Sequence, residues 1–291
     1  MVLKKSIKDP KGAVGFLYRR GVWKADHYMS KKMYGNASGF LSNFIGKKKL
    51  TKNNLKPSKF RDNGYDALGI PYEKELIEKI TTKYNKLILD EKHAIKRINN
   101  GEVYRIELKN SIKAIPELGE LINKKIIGLL EDYYGSHFDI KVVSCWRNYH
   151  IKNDYIEGTK KEFFSSRWHC DRLSVEKAKL FVNLTNVTEQ DGPFHLQPRP
   201  RTKELIKMGF GSREDYKLSQ DILEDPKHVV KATGPPGTAI FANTSFCFHR
   251  AGVPEPGHYR DIVEFVFVPS SEPLPQDWIE HIDPEYDDGN P

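Results

Sequence analysis

Cysteine is scarce in this chain. There are three in 291 residues, Cys145, Cys170 and Cys247, odd in number and far apart. That spacing excludes a disulfide framework and fits a reducing compartment. Long apolar runs are missing too, and none approaches the ~20 residues a membrane-spanning helix needs. The lysines at the start are not followed by a compact apolar stretch with a cleavage signal. A soluble, cytoplasmic protein is therefore expected. Internal repeats and low-complexity tracts are also absent, so a repeat array is not expected.

Acidic residues are nearly absent from positions 1–61, where sixteen Lys/Arg stand against only Asp9 and Asp26. The formal net charge is +8, so the remainder is net acidic. After Ser271 come Glu272, Asp277, Glu280, Asp283, Glu285, Asp287 and Asp288 with no Lys or Arg. The basicity belongs to the N-terminal segment, and no nucleic-acid partner is expected of the body. That segment also carries Phe16, Tyr18, Trp23, Tyr28 and Tyr34, too many aromatics for a plain disordered tail. It is expected to pack partly on the core with its lysines outward. Three regions follow: a basic extension at 1–62, a body at 63–270 and an acidic tail at 271–291.

The body opens with helical periodicity. Pro71 suits the first position of a helix over about 72–98, with Leu76, Ile77, Ile80, Tyr84, Leu87, Ile88 and Ile95 on its buried face. A second helix is expected over about 116–134, stopped by Gly135. A long strand from Phe138 to Tyr149 follows. Short β-prone runs then alternate with turns: 179–184, the turn 188–193, Phe194–Leu196, the turn Gly234–Thr238, Ala239–Phe241, Phe246–His249 and Arg260–Val268. Many short strands with Gly/Pro turns argue for a mainly β sandwich or jelly roll, with the helices buttressing one sheet. The stretch from Arg199 to Lys227 interrupts the strands. It holds a short helix over 203–208 and is a candidate lid or an ordinary surface loop.

Chemistry concentrates at His169-Cys170-Asp171. On an extended backbone, residues two apart point the same way. A second imidazole brought over by the fold would complete a face of two histidines and one carboxylate, which leaves metal positions open and suits non-haem Fe(II). His249 lies far downstream and Arg260 eleven residues beyond it. An arginine there could clamp an acidic co-substrate through its planar fork. His195 and His258 compete for the third position. A zinc site from His169, Cys247 and His249 is conceivable if Cys247 shares a strand face with His249. By strand alternation Arg250 should point away from the site.

Several pieces in this order carry a resemblance: Trp168-His169-Cys170-Asp171, the turn TEQDGPF, PPGTAIF, FHRAG and the late arginine in HYRDIVEF. Together they resemble the phytanoyl-CoA dioxygenase family of Fe(II)/2-oxoglutarate oxygenases, over roughly Gly64 to Val268. The resemblance implies a double-stranded β-helix with a cupin-like barrel. It implies iron held by His169, Asp171 and His249, no catalytic residue beyond that metal centre, and Arg260 on the distal carboxylate of 2-oxoglutarate. In that family O2 and 2-oxoglutarate give succinate and carbon dioxide while an unactivated C–H bond is oxidised, usually to the alcohol. Asp171 argues against the carboxylate-free variant of related halogenases.

One departure stands out. Where many members of the family carry a Pro-Gly-Ser-His-like segment, this chain has Gln197 to Thr202, with Arg201 in place of the histidine. That change hints at an anionic substrate. Asn148 and Trp146 are candidates by position for a second hold on 2-oxoglutarate. Tyr149, Trp168, Phe194 and Arg201 are candidates for lining the substrate cavity. The expected substrate is a small or carrier-linked metabolite. The alternatives are a metal-dependent isomerase or epimerase on the same barrel, or a non-catalytic metal-binding module.

Overall fold

A computed structural model describes residues 59–152, 155–156, 161–162, 164–171, 177–210, 220–270 and 272–282. The expected basic extension up to residue 58, residues 211–219 of the candidate lid and the acidic tail from 283 lie outside the described residues. Helix α1 (Lys59–Asn63) leads into β1 (Tyr65–Gly69), α2 (Lys74–Leu87), β2 (Ala94–Asn99) and β3 (Glu102–Leu108). Then come α3 (Ser111–Ala114), a 3-10 turn (Pro116–Leu121), α4 (Lys124–Tyr134) and β4 (His137–Tyr149). The rest is β5 (Tyr155–Ile156), β6 (Lys161–Glu162), β7 (Ala178–Asn183), β8 (Phe194–Leu196), α5 (Arg199–Met208), α6 (Gln220–Leu223), β9 (Val230–Lys231), β10 (Ala239–Ala242), β11 (His249–Ala251) and β12 (Tyr259–Ser270).

Seven strands form one antiparallel sheet in the order β1-β10-β7-β12-β4-β3-β2, facing a small sheet β11-β8-β9. An isolated bridge between His169 and His249 extends the small sheet. This is the expected jelly roll. Strand alternation divides the large sheet into two faces. Leu180, Val182, Phe241, Val263 and Phe265 pack with Ile77, Ile80, Tyr84, Ile126 and Leu130 of the helices. Phe181, Ile240 and Ile262 turn the other way and meet Phe194 and Leu196 of the small sheet. The helices therefore buttress one face, and the other forms the inner wall of the roll. At the join of the expected extension and body, α1 plants Phe60 beside Tyr133 and Phe241, at ring distances of 4.2 and 5.3 Å.

The helix expected over 72–98 is half that length. It gives way at Asp90, whose carboxylate accepts from Lys92 N at 2.9 Å while its carbonyl takes His93 N and Ala94 N. The rest is a hairpin, β2–β3, turning through Asn100 (φ 48°) and Gly101 (φ 81°). Asn-Gly favours the tight turn that matches strand twist, a strong short-range signal that outweighs the apolar spacing. Ile95, expected on the buried helix face, is 40% exposed on the edge strand. The helix expected over 116–134 is also broken. Asn123 caps α4 by accepting from Lys125 N and Ile126 N, which ends the preceding 3-10 turn. Gly135 closes α4 in the left-handed region, as expected. Among the described residues no helix is long and apolar enough to cross a membrane.

Candidate metal centre

His169 and His249 occupy directly paired positions on antiparallel backbone. His169 N donates to His249 O at 3.1 Å and His249 N to His169 O at 2.9 Å. Cross-strand partners share a face, and the imidazole centroids lie 4.3 Å apart. Asp171 is two residues on, its N donating to Thr244 O at 2.9 Å. Asp171 Oδ1 lies 3.6 Å from His169 Nε2 and 3.5 Å from His249 Nε2. One donor atom from each of the three residues falls within 4.8 Å of the others.

The backbone settles the tautomers. His169 Nδ1 is 2.7 Å from Arg167 O, and His249 Nδ1 is 3.1 Å from Cys247 O. Carbonyls only accept, so each Nδ1 carries a proton, which leaves each Nε2 as the ring atom aimed at Asp171 and available to a metal. Such outer partners orient imidazoles for metal binding. Two imidazole nitrogens and one carboxylate oxygen brought this close together suit a divalent first-row metal.

Asp171 is largely but not fully buried. Burial pushes its carboxyl up, but Lys179 and then His249 pull it down further, well below the usual carboxylate range. Lys179 Nζ lies 3.4 Å from Asp171 Oδ2 and 2.8 Å from Glu264 Oε1. Burial pulls this ammonium down, and the two carboxylates raise it again, above its ordinary value. Sequence reasoning treated Lys179 as part of an apolar strand. The available signal was a charged residue within an otherwise buried run, which requires a partner.

Arg260 stands on the inner wall, on β12 opposite Asn148 of β4, with Trp146 opposite Ile262 two residues along. It is 3% exposed, and its Nη1 donates to Gly192 O. No carboxylate among the described residues pairs with it. Asp261 belongs to Arg147 at 2.7 Å and Glu264 to Lys179. Burial, then Arg105, pull the guanidinium down to about 9, still cationic at neutral pH. Among the described residues, Arg260 Nε, Asn148 Nδ2 and Trp146 Nε1 are all buried donors without an acceptor. Buried donors are normally satisfied, so three orphans around one cation fit an anion that completes them. Arg105, not singled out in the sequence, lies across Asn148: its Nε donates to Asn148 Oδ1 at 2.9 Å, and its guanidinium lies 5.4 Å from the Trp146 ring.

Of the other candidate residues, Phe194 is beside the centre, 5.8 Å from the His249 ring and 4.4 Å from Phe181. Tyr149 is on the opposite face of the sheet, where Arg147 and Asp261 point, and packs on the helix-side core. Trp168 points away from His169. It packs with Leu205, Ile206 and Phe248, and its Nε1 donates to Glu224 at 2.7 Å. Arg201 is bonded to Glu204 and Ile222 O, and Arg199 to Arg61 O. These arginines therefore lend no support to an anionic substrate. Cys247 is not on a strand. Its Sγ faces Asn63 O and Gly64 O, and it gives His249 its carbonyl rather than joining it as a zinc ligand. His258 pairs with Asp191 at 2.9 Å, and His195 lies on the far side of the small sheet with Arg250, so neither is the third imidazole. Arg250 turns outward to Glu224, as alternation requires.

No protein-family model matches the sequence, and no curated protein matches it. Solved structures share the fold. The non-heme alpha ketoglutarate dependent epimerase SnoN from nogalamycin biosynthesis matches with a TM-score of 0.51 at 14% identity, over 72% of this chain and 78% of that one. EctD from S. alaskensis gives 0.51 at 16%, over 75% and 79%. HygX from Streptomyces hygroscopicus, with nickel, 2-oxoglutarate and hygromycin B bound, gives 0.50 at 13%, over 77% and 89%. At such low identity the likeness establishes the jelly-roll fold.

Proposed function

We propose that this chain is an Fe(II)- and 2-oxoglutarate-dependent oxygenase that oxidises an unactivated C–H bond of a small or carrier-linked metabolite, in the simplest case by hydroxylation. One observation carries the reading. The small sheet's edge carries the His169/Asp171/His249 donor set, and the inner wall that faces this sheet carries a buried guanidinium, Arg260, that lacks an acidic partner among the described residues. The fold-mates described with alpha ketoglutarate or 2-oxoglutarate support it. So does the motif order, which aligns the chain with the phytanoyl-CoA dioxygenase family.

The residues divide the work. His169, Asp171 and His249 would hold the ion by one face, with Arg167 O and Cys247 O fixing the imidazole rings. Arg260 would take the distal carboxylate of the keto acid by charge-assisted hydrogen bonds, with Asn148 and Trp146 supplying further donors. Phe194 and Phe181 line the wall beside His249 and would limit the access of water to it. When bound, ferrous iron with the keto acid and O2 supplies the oxidising power for C–H cleavage. Because SnoN is described as an epimerase, an outcome other than hydroxylation is the alternative at this same site.

The test is anaerobic titration of the purified protein with Fe(II) and 2-oxoglutarate, following the visible charge-transfer band of the chelate. A band in the wild type that is lost in Arg260→Ala and His249→Ala is expected. Iron binding without the band would overturn the 2-oxoglutarate assignment and leave a metal-dependent isomerase or binding module.

A further inference from the structure

We infer that Lys179 is a positioning residue that holds Asp171 as a one-oxygen metal ligand. The inference rests on the metal-centre reading, and it concerns the unused half of the carboxylate. Asp171 Oδ1 faces both imidazole Nε2 atoms, at 3.6 and 3.5 Å. Oδ2 faces Lys179 Nζ at 3.4 Å. The ammonium is held from behind by Glu264 Oε1 at 2.8 Å. The Lys179, Asp171 and Glu264 side chains are 17%, 17% and 12% exposed.

The strands explain the arrangement. Lys179 lies on β7 opposite Ala242 and Val266, and Glu264 lies on β12 opposite Phe181 and Ser144. Both therefore point to the inner wall, with Ala242, Val266 and Phe181 as apolar neighbours and Ser144 as the one polar neighbour. A buried ammonium is costly unless paired and hydrogen-bonded. Here it has two carboxylates, one of which is a candidate metal ligand. A carboxylate free at both oxygens can swing to bind a cation with both of them. With the ammonium on Oδ2, that swing would bring the metal up against another cation. Asp171 therefore offers Oδ1 alone, and one more coordination position stays open for exogenous ligands. Lys179 also offsets Asp171 in charge, while Glu264 cancels Lys179, so the trio adds one negative charge to the site.

The experiment uses the full-length protein and two metals without co-substrate. Co(II) affinity is measured by chelator competition, and the exchangeable waters on bound Mn(II) are counted by water proton relaxation. The principal variant is Lys179→Met with Glu264→Gln, which removes the ion pair without changing net charge. Co(II) binding should weaken on the order of 10- to 100-fold, as for other outer-shell partners of metal ligands. Bound Mn(II) should carry one water fewer, because Asp171 now binds through both oxygens. Lys179→Arg should restore the wild-type water count. Glu264→Gln alone, which loosens Lys179 but leaves it in place, should give an intermediate affinity and keeps the test open if the double variant does not fold. Wild-type affinity and water count in a folded Lys179→Met/Glu264→Gln protein would overturn the inference. Failure of the wild type to bind either metal would overturn the metal centre itself, and with it the role of Lys179; the two failures differ in whether the wild type binds.

Discussion

His169 and His249 are joined backbone to backbone by a reciprocal pair of hydrogen bonds at 3.1 and 2.9 Å. Two residues about eighty positions apart are thus made neighbours by the β-ladder. Their rings need no loop to bring them together. The donor set is positioned by the same bonds that build the sheet, which is the rigid support a metal site requires.

Removing either imidazole should therefore abolish metal binding while sparing the fold. His169→Ala and His249→Ala are each expected to lose Fe(II) or Co(II) affinity by on the order of 100-fold or more, beyond the usual cost of losing an outer-shell partner. Thermal unfolding of the metal-free protein should change little. Chelator competition checks the first statement and circular dichroism the second. Wild-type affinity in either variant would remove that residue from the ligand set.

Arg260→Ala should raise the 2-oxoglutarate concentration needed for succinate formation. Hydrogen bonds to charged groups contribute about 1.5–3 kcal/mol, a loss on the order of 10- to 100-fold. Arg260→Lys should fall in between, because an ammonium restores charge but not the planar fork. The dependence of initial rate on 2-oxoglutarate reads this directly, and an unchanged dependence would leave Arg260 with a purely structural role.

His195 sets a pH dependence of stability. Burial, then Arg250, Lys231 and Arg260, pull its imidazole from 6.5 down to about 2. Below about pH 6.5 the unfolded chain takes up a proton that the folded chain refuses. Stability conferred by the neutral ring is thus complete above pH 6.5 and is lost as pH falls toward the folded value, by up to about 1.4 kcal/mol per pH unit. His195→Phe should flatten this part of the profile between pH 7 and 5. Urea midpoints at several pH values test it; parallel profiles for variant and wild type would count against the assignment.

Gly192→Ala should be strongly destabilising. Gly192 has φ +66°, and an added Cβ would lie 2.6 Å from Gly252 O and from Pro254 N. Both neighbours are backbone and cannot yield cheaply. A strained backbone of this kind costs on the order of 1–3 kcal/mol. Gly192 O also accepts from Arg260, so the variant should raise the 2-oxoglutarate concentration needed for succinate formation as well as lower the melting temperature, read by initial rates and thermal unfolding.

The candidate donor set was legible because His-X-Asp geometry is local and strand alternation fixes which side chains agree in direction. The jelly roll was legible from its turn punctuation. What was not legible depended on which strands become neighbours. Lys179 finds Asp171 and Glu264 only after β7 pairs with β12, and Arg105 reaches Asn148 only through β3–β4 pairing. Tyr149 follows Asn148 on β4, so alternation puts the two on opposite faces, and only the pairing with β12 shows that Asn148 has the inner one. The overlong first helix shows apolar spacing read past an Asn-Gly turn that overrides it.

Arg260 and Asp261 are adjacent on β12 and point to opposite sides, the first to the inner wall and the second to Arg147 and Tyr84 beneath the helices. A slip of β12 by a single residue would exchange them. It would present a carboxylate where the keto acid's own carboxylate is proposed to bind, and bury a guanidinium against Arg147. A misregistered molecule would thus repel its co-substrate and lose its buried anchor at once. Near-native misfolds of this strand would be silent as catalysts and open to clearance, so the active fraction of a preparation doubles as a readout of strand alignment.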